Sequence, residues 1–147
     1  MLNASPWREQ FINLALELRR QAGKPALSFQ DVPNAPIGMK FHLDRVLFRV
    51  THLDGDGTAA ERFLLQCHFG PLAMDRVDEA LEQALSLNLA MARASAGVLG
   101  IDESLNELVY SCFVSLRDTT LEELSDALRQ LARIAHEWRA AHAVTLH

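Results

Sequence analysis

The stretch LSLNLAMARASAGVLGIDESLNELVYSCFVSL, from Leu85 to Leu116, decides the fold because it changes from a helical to a strand pattern. Leucines and alanines recur at helical spacing up to Gly97, and glycine commonly ends helices. VLGID and ELVYSCFVSL follow as two apolar runs joined by the short polar segment ESLN. The stretch therefore predicts the end of a long helix, which Asp75 caps, and then two strands.

The chain upstream of this helix is predicted to hold one helix and three strands. Ser5 is a good N-cap with Pro6 at the first helical position, and Gly23 ends this first helix. IGMKFHLD, RVLFRVTHL and RFLLQCHF are rich in β-branched, aromatic and apolar residues, which is typical of strands. Asp44 and Arg45 are predicted to form a tight turn between the first two strands. Gly70-Pro71 is expected to break the third strand.

The chain after the last strand predicts a third, closing helix. Thr120 and Glu123 have capping-box spacing. An apolar stripe follows, with residues every three or four positions: Leu121, Leu124, Leu128, Leu131, Ala135 and Trp138. The order α-β-β-β-α-β-β-α predicts an α+β fold with a mostly antiparallel sheet. We expect one domain over residues 1–147, with residues 140–147 fraying.

The segment LDGDGT, from Leu53 to Thr58, has two interpretations. Asp54 and Asp56 resemble the start of a calcium loop. However, Ala59 occupies the position that requires glycine, and Leu65 occupies the position that requires a bidentate glutamate. Asp-Gly pairs between two strand-like runs are typical of hairpin turns. We therefore expect a turn between strands and no metal site.

Composition and charge limit the classes of function. The chain has 147 residues, 49% hydrophobic and 22% charged, with a formal net charge of −5. No Lys/Arg cluster occurs, which disfavours nucleic-acid binding. The amino terminus lacks a signal-peptide pattern, and no apolar run approaches the ~20 residues of a membrane span. We expect a cytoplasmic protein in which Cys67 and Cys112 are buried free thiols rather than a disulfide.

No catalytic motif is recognisable in the chain. The sequence contains no Gly-rich phosphate loop, no GxSxG elbow and no HExxH pair. His136-Glu137 has no second histidine at ligand spacing, and Cys112 has no basic residue in its own strand to activate it. Acidic pairs such as Asp78-Glu79 lie in first helical turns, where they complement the helix dipole. We expect neither an enzyme nor a bound cofactor.

The order, size and acidity of these elements resemble the class I type III secretion chaperones, the Tir-chaperone family. The resemblance rests on residues 85–116 followed by LEELSDALRQLARIAHEW, with MKFHLD, RVLFRVTHLD and RFLLQCHFGPL matching the family's three-strand meander. Asn106 stands where the family usually has a turn glycine, and asparagine tolerates the left-handed conformation. The resemblance implies a cytoplasmic homodimer that holds the amino-terminal region of a secreted effector in extended form without ATP.

Two groups of apolar residues are candidates for these contacts. The predicted effector-binding patch combines the first helix with the meander: Phe11, Ile12, Leu18, Phe41, Leu43, Phe48 and Val50. At least half of these are expected to be core, because one face of the helix must pack on the sheet. The predicted dimer contact is Leu85, Leu89 and Ala92 of the second helix, whose apolar residues extend over much of its circumference.

Three alternatives remain open from the sequence. The second helix could be covered entirely within one chain, which would remove the dimer contact. The protein could be a dimeric adaptor of the same fold that binds a compact partner outside secretion. It could also be a small enzyme whose site assembles from distant residues, for instance Cys67, His68 and Tyr110.

Overall fold

The computed structural model describes residues 6–25, 29, 35–53, 60–72, 74–93 and 97–142. Within these ranges the helices and strands follow the predicted α+β order, which is confirmed. The elements are α1 (Pro6–Gln21), β1 (Ile37–Leu43), β2 (Val46–His52), β3 (Arg62–Pro71), α2 (Val77–Arg93), β4 (Val98–Asp102), β5 (Glu107–Ser115) and α3 (Leu121–Ala141). A short 3₁₀ helix, Met74–Arg76, leads into α2. Ser5 and residues 143–147 lie outside the described residues.

The five strands form one sheet in the order β1-β2-β3-β5-β4, and every neighbouring pair is antiparallel. The predicted turn at Asp44 and Arg45 is confirmed, with φ angles of 51° and 64°. Two successive positive φ angles are typical of a type I′ turn, whose twist matches that of the flanking strands. Asn106 also has a positive φ of 54° before β5. The asparagine therefore takes the left-handed conformation that was expected of it.

One face of this sheet forms the core. Residues directly opposite each other on antiparallel strands project to the same face. The register joins Phe41, Phe48, Cys67, Tyr110 and Leu99 in one row across all five strands, and all five are buried. The apolar residues of β3 alternate along its sequence, and Phe63, Leu65, Cys67 and Phe69 share this inner face.

Helices α1 and α3 cover the inner face of the sheet. The Phe11 ring of α1 lies 5.5 Å from both the His52 and the Phe63 rings, measured between centroids. Trp138 of α3 lies 6.2 Å from Phe69. The predicted capping box of α3 is confirmed, since the Thr120 hydroxyl accepts a hydrogen bond from the Glu123 amide. Its predicted stripe is also confirmed: Leu124, Leu128, Ala135 and Trp138 are buried, and Leu121 and Leu131 are partly buried.

The prediction that Gly70-Pro71 breaks the third strand is wrong. β3 continues through Pro71, and its register to β5 shifts between His68 and Gly70. Gly70 has a φ of 115°, which only glycine adopts readily. The strand therefore bends at an irregularity instead of ending, and it continues to pair with β5.

Arg139 of α3 binds the backbone next to this irregularity. Its Nε donates to the Phe69 carbonyl at 2.6 Å and its Nη2 to the His68 carbonyl at 3.1 Å, while Nη1 reaches the Arg45 carbonyl at 3.1 Å. Burial lowers the pKa of Arg139 below its ordinary value. One planar guanidinium thus satisfies carbonyls from the β3 irregularity and from the β1–β2 turn.

Replacing Arg139 should therefore destabilise the fold. We expect Arg139→Ala to lower the free energy of unfolding by about 3 kcal/mol, because three backbone carbonyls lose their donor. Arg129→Ala is the matched control, since Arg129 lies exposed on the same helix. It should change stability by less than about 0.5 kcal/mol. Urea unfolding followed by circular dichroism measures both, and equal losses would contradict the role assigned to Arg139.

Candidate protein-binding surfaces

Helix α2 is attached to the edge of the sheet through Asn88. The Asn88 side-chain amide donates to the Leu99 carbonyl at 2.9 Å, and its oxygen accepts from the Leu99 amide at 2.6 Å. β4 is an edge strand, so these backbone groups face away from β5. The side chain satisfies the groups that a further strand would otherwise use at this position.

Several apolar residues of α2 are exposed. Leu85 is 69% exposed and Leu89 is 57% exposed, and Ala92 is exposed as well. The buried residues of α2 are the small Ala80 and Ala84. All three predicted dimer-contact residues therefore lie at the surface of this chain, on a helix that the sheet does not enclose.

The fold divides the residues that recur at helical spacing along α2. Val77, Leu81 and Asn88 are partly buried, while Leu85 and Ala92 are exposed. Nine large hydrophobic side chains are exposed among the described residues, and seven of them lie between Leu85 and Phe113. Exposed apolar area is thus concentrated in the stretch that contains α2, β4 and β5. Such concentration marks a surface for protein contacts.

The predicted effector-binding residues are mostly core. Phe11, Leu18, Phe41, Phe48 and Val50 are at most 4% exposed. The rings of Phe41 and Phe48 stack on each other with centroids 5.7 Å apart. Ile12 and Leu43 are partly exposed. Of the seven predicted residues, only these two present area that a partner can contact without opening the core.

The structure also contains an apolar groove that the sequence analysis did not predict. A cavity of about 420 Å³ lies between β5 and α3, and its apolar lining includes Cys112, Val114, Leu131 and Ile134. Ile134 is 41% exposed. Among the described residues, β4 pairs with β5 as far as Ser111, and Gly97 packs against Ser111 and Cys112 beside the groove. The one sequence signal for this groove is that the run VLGID is shorter than the run ELVYSCFVSL, with which it pairs.

The residues of the enzyme alternative do not form a catalytic pair. Cys67 faces the core and His68 the other side of the sheet, because successive strand residues alternate. Burial raises the pKa of Cys67 to about 12 and also raises the pKa of Cys112. His68 Nδ1 lies 3.0 Å from the Glu107 carboxylate. Both cysteines are free, with Cys67 buried and Cys112 partly exposed.

The described residues also bear on metal binding and on membrane insertion. Within the described ranges, no three His, Cys, Asp or Glu side chains converge as a metal ion would require. Among the helices of those ranges, none is long and apolar enough to cross a membrane. The segment from Asp54 to Ala59 lies outside the described residues, and with it the predicted LDGDGT turn.

Comparison with known proteins identifies the family. The sequence model of the Tir chaperone protein (CesT) family matches residues 55–139, more than half of the chain. The chain belongs to this family. The resemblance drawn from the sequence is thereby confirmed, and the matched region contains β3, α2, β4, β5 and most of α3. No curated protein sequence matches the chain.

Two solved structures of related fold are similar to this chain. A chain of the crystal structure of the ExsC–ExsE complex has a TM-score of 0.69 and 21% identity, covering 91% of this chain and 94% of its own. A chain of the HopA1–SchA chaperone–effector complex has a TM-score of 0.63 and 17% identity, covering 94% and 99%. Both comparisons support the same fold over nearly the whole length.

The Asn88 contact makes a testable prediction. Asn88→Leu keeps the volume but leaves the Leu99 amide and carbonyl without this partner, so we expect a loss of about 2 kcal/mol in unfolding free energy. Hydrogen exchange at the Leu99 amide should become faster. Asn13→Leu is the control, because Asn13 is exposed on α1. Unchanged exchange at Leu99 in Asn88→Leu would show that the amide contact does not hold α2 at the edge.

Proposed function

We propose that this protein is a cytoplasmic type III secretion chaperone. It binds the amino-terminal region of a secreted effector in extended form, as a homodimer and without ATP, and keeps the effector competent for secretion. The observation that carries the proposal is the family match over residues 55–139. The structural similarity to a chain of a chaperone–effector complex supports it.

The groove between β5 and α3 suits an extended segment. A chain that is disordered alone can order against apolar area and add a strand to a free sheet edge. Here Val114, Leu131 and Ile134 line an apolar groove, and none of the described residues of β4 pairs with residues 113–115 of β5. Main-chain hydrogen bonds would tolerate varied sequences, while the groove would select apolar side chains at alternate positions. Ile12 and Leu43 offer further apolar area on other elements.

The exposed side of α2 suits a contact between two copies of the chain. A two-fold axis brings identical surfaces together, and small residues permit helices to approach closely. Leu85 and Leu89 supply apolar area one helical turn apart, and Ala92 lies one further turn along the same region. Because Ala80 and Ala84 face inward, pairing through the leucines would leave the contact between α2 and β4 intact.

The cargo proposal is tested by co-expression with candidate secreted proteins. We expect recovery of an effector whose bound region lies near its amino terminus. Limited proteolysis should cut that region when it is free and spare it in the complex. A recovered partner that resists protease by itself would support the adaptor alternative instead.

A variant pair locates the cargo contact. Ile134→Asp should weaken effector binding roughly tenfold or more, because burial of an isoleucine side chain contributes about 1.5–3 kcal/mol. Leu53→Asp is the control, since Leu53 is 50% exposed and does not line the groove. Isothermal titration calorimetry measures both affinities. Equal affinities for the two variants would exclude the groove as the cargo site.

The dimer proposal is tested by light scattering at micromolar concentration. We expect the wild type to be a dimer and Leu89→Asp to be a monomer, because two carboxylates would be buried at the two-fold contact. The dissociation constant should rise by at least about a hundredfold. Ile134→Asp, on α3, should remain dimeric. A Leu89→Asp dimer would remove α2 from the interface, and a monomeric wild type would contradict dimerisation altogether.

A further inference from the structure

The face of the sheet opposite α1 and α3, here called the outer face, carries an unfavourable pair of charges. The register places Lys40 of β1 directly opposite Arg49 of β2, and Gln66 and Ser111 continue the same row. Directly opposed residues have Cβ atoms about 4.5–5.5 Å apart, and like charges there destabilise the sheet. Both side chains are exposed.

Among the residues that the structure describes, no acidic side chain pairs with either cation, the Lys40 ammonium or the Arg49 guanidinium. Carboxylates are abundant in the chain, which has 19 acidic residues against 14 Lys and Arg. A glutamate at either position would turn the repulsion into attraction. The fold therefore keeps a local positive charge on a protein whose net charge is negative.

A cleft lies beside Lys40 and Arg49 on the outer face. It has a volume of about 320 Å³ and is lined by Gly38, Met39, Lys40, Arg49 and Thr51. No carboxylate is among these residues, and Gly38 lacks a side chain that would fill the space. The lining thus combines two cations with the Thr51 hydroxyl, a set of donors that suits a carboxylate.

A second cleft on the other side of Arg49 differs from the first because a carboxylate lines it. It measures about 240 Å³ and includes Gln66, His68, Ser111 and Asp102 in its lining. The pKa of the Asp102 carboxyl is lowered, mainly by its hydrogen bond with Ser104, so it carries a negative charge at neutral pH. The negative charge on the outer face thus lies toward β4. The β1–β2 side is the part that can accept an anion.

We propose that the outer-face pair of Lys40 and Arg49 binds carboxylates of an acidic segment of a partner polypeptide. Two opposed cations in a small cleft match one or two carboxylates. They do not form the continuous basic track that a nucleic-acid backbone requires, and the net charge of −5 repels a polyanion. The identification of the partner as the secreted cargo rests on the proposed function. The binding of carboxylates by Lys40 and Arg49 does not depend on the proposed function.

The test uses a synthetic peptide as the probe. It is a fluorescein-labelled 12-residue peptide of alternating Glu and Thr, with a Gln-for-Glu peptide as the ligand control. At low ionic strength, fluorescence anisotropy should show binding of the Glu peptide only. Arg49→Gln and Lys40→Gln should each weaken it at least fivefold, and raising the salt to 0.5 M should abolish it.

The matched control is Arg133→Gln, which removes the same charge from an exposed position of α3. It should bind the Glu peptide as the wild type does. Equal weakening by Arg133→Gln and Arg49→Gln would overturn the proposal, because only net charge would then matter. Absence of binding by the wild type would overturn it as well.

A second variant separates binding from folding. Arg49→Glu places a carboxylate opposite Lys40, so the thermal unfolding midpoint should rise by a few degrees while peptide binding is lost. A lower midpoint would contradict the assigned repulsion. If an effector still co-purifies with Arg49→Gln at unchanged affinity, the cargo is not the partner of the outer face, and the proposed function stands. If peptide binding behaves as expected but no effector is recovered, the proposed function fails and the surface stands.

Discussion

The two hydrogen bonds between the Asn88 amide and the Leu99 backbone hold α2 at the edge of the sheet instead of on its face. The inner face is already covered by α1 and α3, whose Phe11 and Trp138 pack on strand residues. Helix α2 does not cover that face and contacts the β4 edge instead. Because an edge contact covers a narrow side of a helix, Leu85 and Leu89 remain exposed. The candidate dimer surface follows from this arrangement.

The three candidate binding surfaces lie outside the hydrophobic core. The exposed side of α2, the groove between β5 and α3, and the cationic part of the outer face have different chemistry. The first two are apolar and suit a second copy of the chain and an extended segment. The third is charged and suits carboxylates. A chaperone that binds a segment without a fold of its own gains affinity from a large wrapped surface, because ordering the segment costs several kcal/mol. Binding sites on several surfaces of the chain fit that requirement.

Much of the fold could be predicted from the sequence because its signals are local. Asp44 and Arg45 form the predicted turn, and Thr120 and Glu123 form the predicted cap. The β3 irregularity was missed because Gly70-Pro71 normally disrupts a strand. Its continuation depends on pairing with β5 and on Arg139, which lies far away in the sequence. The candidate binding residues were harder to predict, because core and contact residues have the same apolar composition.

The sequence by itself determined the order of helices and strands, the inner-facing alternation of β3, the stripe of α3 and the family resemblance. These depend on spacing along the chain, since helical and strand periods can be read from neighbouring residues. Only the tertiary structure decided which apolar residues are covered. Phe41 and Phe48 were candidates for effector binding, and both are buried. Leu85 lies one helical turn from the partly buried Leu81, but it is exposed. Whether an apolar residue is covered depends on which helices pack on the sheet face. That packing is set by contacts between residues distant in sequence.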